Sequence, residues 1–77
     1  MMRSLENVGA GETVVVRRIL FDSLRSHCHE QGIHEGSLLS ARAADGSQVI
    51  VETAGGRAVP CEGRYARFIQ ITSHRQG

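Results

Sequence analysis

The spacing of apolar and polar positions changes twice along the chain. Residues 12–19, ETVVVRRI, are rich in β-branched side chains and follow Gly9 and Gly11, which predicts a strand. The next stretch, FDSLRSHCHEQG, turns to helical spacing: Leu24, Cys28 and Gln31 recur at i, i+4 and i+7, one face of a helix. Asp22 or Ser23 is placed to cap that helix by accepting a backbone N–H that its first turn leaves unmade. The stripe is weak and the helix short, so it must lean on the rest of the fold.

From Ser37 the alternation is that of strands. SLLSARA (37–43) and SQVIVET (47–53) flank Ala44-Asp45-Gly46, and Asp-Gly favours a turn because it accepts positive φ. Ala54-Gly55-Gly56 marks a further turn, and RAVPC (57–61) a short strand. Pro60 cannot donate to a ladder and belongs at an edge or a strand end. GRYA (63–66) reads as a turn or a single helical turn, and FIQIT (68–72) closes with alternating apolar residues. The tail 73–77 is expected to fray. The order predicts a mainly β, SH3-like five-stranded barrel with one short helix between the first and second strands. Curling so small a sheet on itself hides its edges.

Composition narrows the function. The chain has 77 residues, the size of one domain whose core spans about 4–72. A chain this short buries only about 60% of its unfolded surface, too little for a deep water-excluding cleft. Its positive charge is all arginine, nearly balanced by acids at a net +1, which gives no strong field for nucleic acid or an anionic membrane. No apolar run reaches signal-peptide or membrane-span length, so a cytoplasmic location is expected. Cys28 and Cys61 form no C-x-x-C pair, and a disulfide between them is disfavoured in a reducing cytoplasm. No phosphate loop, nucleophile elbow or H-E-x-x-H is present. His29-Glu30 begins the last of these, but its second histidine would fall at Ile33. Catalysis is not expected.

HCHEQGIH (27–34) is the stretch that most resembles chemistry. Imidazole and thiolate suit zinc or iron(II), and His27, His29, Glu30 and His34 form the candidate metal set. Helical neighbours on one face lie three or four apart, however, so consecutive residues cannot share one ion. Only His27 and Glu30 pair favourably within the helix, and His34 joins only if the chain turns back. The structural reading accounts for more residues. Gly32 suits the left-handed position just past a helix, Gln31 is then the C-cap, and Ile33 packs on Cys28 in a Schellman ending. Cys28 is expected to face inward as a small hydrophobe, and Cys61 to be buried. Tyr65 and Phe68 could stack on a base, but only Arg64 and Arg67 lie near them, and core packing is the plainer role. Arg17 and Arg18 are expected on opposite faces of their strand.

With the helix ending in place, the chain resembles the FeoA family, small cytosolic proteins associated with bacterial ferrous iron uptake. The resemblance rests on SLENVGAGETVVVRRI, LRSHCHEQGIHEG, SARAADGSQVIVETAGGRAV and CEGRYARFIQI, in that order over residues 4–72. Gly32-Ile33 with Gly36, and Ala66 with Ile69 and Ile71, are its most telling pieces. Gln31 departs from the family's usual leucine and Glu35 from its frequent proline. Cys28 and Cys61 both fall where the family places core leucines. The resemblance implies an SH3-like interaction module with no required cofactor, acting with the FeoB ferrous iron transporter on its cytoplasmic side. Direct binding of Fe(II) or Zn(II) by the surface histidines is the alternative, and a nucleic-acid-binding barrel a further one.

Overall fold

The structure is a computed structural model, and it describes residues 3–74. Six antiparallel strands form one sheet: β1 (Arg3–Ser4), β2 (Thr13–Ile19), β3 (Leu38–Ala44), β4 (Gln48–Thr53), β5 (Ala58–Glu62) and β6 (Ile69–Ser73). Their spatial order is β1-β6-β2-β3-β4-β5. Helix α1 (Asp22–Glu30) joins β2 to β3, and the one-turn α2 (Gly63–Ala66) joins β5 to β6. The architecture is the expected SH3-like one with a sixth strand. That strand, β1, is two residues long and adds to the outer edge of β6. A pairing so short leaves no period in the sequence to read.

Alternation supplies the core. Val14, Val16 and Ile19 of β2, Leu39 and Ala41 of β3, Val49 and Val51 of β4, and Ile69 and Ile71 of β6 are all buried. A 3-10 turn, Leu5–Asn7, and α2 lie against each other and against β4. Their Leu5 and Ala66 side chains are fully buried. Burying a leucine this completely contributes about 1.5–3 kcal/mol relative to leaving it in water.

Two irregularities reshape the strands. The β2–β6 register shifts between Val16 and Arg18, and the β3–β4 register between Ala41 and Ala43. An extra residue in one strand breaks the strict two-face alternation. Arg17 and Arg18 are therefore both exposed, not divided between inside and outside. Arg17 Nε donates to Thr72 Oγ1 at 3.0 Å.

The turn after β3 differs in detail from its expected form. Gly46 alone takes a positive φ, 90°, while Asp45 Oδ1 accepts from the Ser47 and Gln48 N–H groups at 3.0 and 2.9 Å. The tail is ordered further than expected: Ser73 belongs to β6, and the His74 N–H donates to the Thr13 carbonyl at 3.0 Å. Residues 75–77, also assigned to a frayed tail, lie outside the described residues. Among the described residues, no helix is long and apolar enough to cross a membrane.

Candidate functional site

Helix α1 is held at its start by charge. Its N-cap is Phe21, which offers no side-chain acceptor, so neither Asp22 nor Ser23 serves as the expected cap. Asp22 instead sits in the first turn, where an acid complements the helix dipole, and pairs with Arg25. Arg25 also donates to the Ile19 carbonyl at 3.0 Å and reaches Glu35 at 3.4 Å. One guanidinium thus links the end of β2, the first turn of α1 and the loop beyond it.

The helix closes in a Schellman ending. Gly32, at φ 87°, donates to the His29 carbonyl at 3.1 Å, and Ile33 donates to the Cys28 carbonyl at 2.8 Å. The chain is turned back by these bonds. Gly36, at φ 92°, donates to the Val16 carbonyl at 2.7 Å, and Val16 donates to Ser37 at 2.9 Å, which fastens the returning loop to β2. Ile33 and Cys28 are both buried in the core.

This ending sorts the histidines. His29 and His34 come together, their rings stacked with centroids 4.4 Å apart and planes 30° from parallel. At 3.6 residues per turn His27 lies about 200° around the helix from His29. It lines a cleft on the other side. Glu30, His29, His34 and His27 are all exposed. Among the described residues, no three His, Cys, Asp or Glu side chains converge in a metal-binding arrangement.

The cleft beside His27 is open, with a volume of about 580 Å³. Phe21, Leu24, Tyr65 and Phe68 form its apolar wall, with Arg64 at the rim. The chain's three aromatic residues, one tyrosine and two phenylalanines, thus line one cavity. Phe21 and Phe68 meet edge to face at 4.7 Å, an arrangement set by the ring quadrupoles. Arg64 lies over the Tyr65 ring at 4.9 Å and pairs with Glu62 at 2.8 Å. Phe21 and Tyr65 remain 50% and 47% exposed, so these rings are surface as well as packing. Tyr65 and Phe68 were visible in the sequence; Phe21 was not. Its signal is an aromatic residue placed immediately before a helix.

A smaller hollow of about 120 Å³ adjoins the cleft and shares Leu24, His27 and Tyr65 with it. Cys28 and Cys61 both line this hollow as free thiols. Cys28 is buried, whereas Cys61 is only partly covered and packs against the core. Burial pushes both thiols up, Cys61 to about 11 with a further push from Cys28. These are poor nucleophiles and poor metal ligands, because the thiolate does both jobs.

No protein-family model matches the sequence, and no curated protein shows significant similarity to it. Solved structures do match. The crystal structure of the iron uptake regulatory protein FeoA superposes with a TM-score of 0.85 at 19% identity, covering 96% of this chain and 99% of that one. The fold is that of FeoA. The solution structure of a FeoA-like protein from Clostridium acetobutylicum gives a TM-score of 0.83 at 16% identity, over 99% of this chain and 91% of that one. A manganese-dependent transcriptional repressor gives 0.86 at 22% identity, but the match spans 41% of its length. The FeoA fold thus occurs both as nearly a whole chain and as a segment of a larger regulator.

Proposed function

We propose that this chain is a non-catalytic, cytoplasmic accessory protein of ferrous iron uptake, acting by docking on the cytoplasmic part of a FeoB-type transporter. The observation that carries the reading is the end-to-end match with FeoA, which leaves almost nothing of either chain unpaired. The aromatic cleft between α1 and α2 supports it with a surface suited to the work. Phe21, Leu24, Tyr65 and Phe68 offer an apolar wall whose rings are rigid and already ordered by packing. Aromatic side chains of this kind bury much area at little entropic cost, which is why they anchor protein interfaces. The occupant we assign to it is an apolar segment of the transporter's cytoplasmic part.

The test is a pull-down of the transporter's cytoplasmic part with this chain, in the nucleotide-free, GDP-bound and GTP-bound states. Capture is expected in at least one state, with loss on substitution of Phe21 and Tyr65 by serine. Both rings are about half exposed, so the double variant is expected to fold. Absence of capture in every state, or capture unaffected by the double substitution, refutes the docking reading.

A further inference from the structure

We infer that His29 and His34 form a two-imidazole site for a borderline divalent transition metal, with Zn(II) as the representative ion. The site stands apart from the docking cleft and does not depend on it. It arises from the backbone: the Schellman bonds of Gly32 and Ile33 reverse the chain at the end of α1 and bring residue 34 back over residue 29. The two rings stack at 4.4 Å on an exposed surface, where their nitrogens are open to an ion. The Ser37 hydroxyl receives the backbone N–H of His34 at 2.9 Å and so fixes the start of the returning loop. Among the described residues, neither imidazole is engaged in a hydrogen bond or an ion pair.

Electrostatics adds to the geometry. The C-terminal end of a helix carries partial negative charge and favours a cation there. Imidazole nitrogen suits Zn(II), Cu(II) and Ni(II), whereas Mg(II) and Ca(II) demand oxygen. Only two protein ligands are present, so solvent completes the coordination and exchange is quick. The set leaves out two neighbours with good reason. His27 points to the cleft, about 200° away around α1. The Cys28 thiol is buried and its ionisation is suppressed.

The experiment is calorimetric titration of the whole chain with Zn(II), alongside His29→Gln, His34→Gln and His27→Gln. All three side chains are exposed, and thermal unfolding establishes that each variant is folded. Binding in the micromolar range is expected for the unsubstituted chain, with the imidazole proton resonances of His29 and His34 shifting together. Loss of either ligand removes the tethered second contact and weakens binding by at least about tenfold. His27→Gln binds as the unsubstituted chain does, and excess Mg(II) does not compete. The inference is overturned if the unsubstituted chain fails to bind. It is equally overturned if either His29→Gln or His34→Gln binds undiminished, or if His27→Gln is the variant that loses the ion.

Discussion

At the scale of single residues, the end of α1 depends on the backbone of one glycine. Gly32 sits at φ 87° with no atom near the place a Cβ would occupy, so the cost of a side chain there is conformational, not steric. Gly32→Ala is expected to destabilise the fold by about 1–2 kcal/mol, the penalty of the left-handed region. Urea titration measures this, with Gly9→Ala as the neutral control, since Gly9 has neither a positive φ nor a nearby atom. The cysteines make a second case. Cys28 is 4% exposed and borders a hollow of about 120 Å³, so a larger apolar side chain has somewhere to go. Cys28→Leu should keep or raise stability. Cys28→Ser buries a hydroxyl in the same place and should lose about 1–3 kcal/mol. Both native thiols should also resist alkylation at neutral pH. The Cys61 thiolate becomes abundant only as the pH approaches about 11, so its labelling rate should still be rising where an ordinary cysteine has levelled off.

At the scale of elements, charged side chains fasten together pieces that the hydrophobic pattern only sets side by side. Glu12 accepts from Arg3 at 2.9 Å, from the Gly9 N–H at 3.1 Å and from the Ser73 hydroxyl at 3.1 Å, which ties β1 and the end of β6 to the start of β2. These bonds, the Arg3 one foremost, hold its carboxyl down at about 2. An unfolded glutamate titrates at about 4.3. The stabilisation is therefore complete above pH about 4.3 and drains away as the pH falls toward 2. Glu12→Gln should lower stability at neutral pH and flatten the acid dependence across that window, as thermal unfolding at stepped pH will show. Neither this lashing nor the Arg25 link could be read from the sequence, because both join residues that only the finished topology brings together. The main strands, α1 and its glycine-terminated end were legible, since each is written in local period and turn chemistry. Phe21 as N-cap, the bulge that exposes both Arg17 and Arg18, and the stacking of His29 on His34 were not. Each is fixed by contacts the local pattern does not encode.

At the scale of the whole molecule, charge and apolar surface are arranged for different tasks. The arginines are neutralised locally: Arg3 by Glu12, Arg25 by Asp22 and Glu35, Arg42 by Glu52, and Arg64 by Glu62. A surface paired in this way presents no continuous basic groove, so any affinity for RNA or DNA should be weak and lack the steep salt dependence of phosphate binding. What remains distinctive is the two sides of α1. One carries His27 into the aromatic cleft; the other carries His29 to its stacked partner. If the cleft is for protein and the imidazole pair for metal, the two functions should separate by mutation. Phe21→Ser/Tyr65→Ser should abolish capture of the transporter's cytoplasmic part while Zn(II) titrates as before. His29→Gln/His34→Gln should do the reverse. Distant sites with no shared partners add independently, so the combined variant should show both losses and no more. Reduced capture in the histidine variant would instead mean that the end of α1 is itself part of the docking surface, and the division between the two sides of the helix would fail.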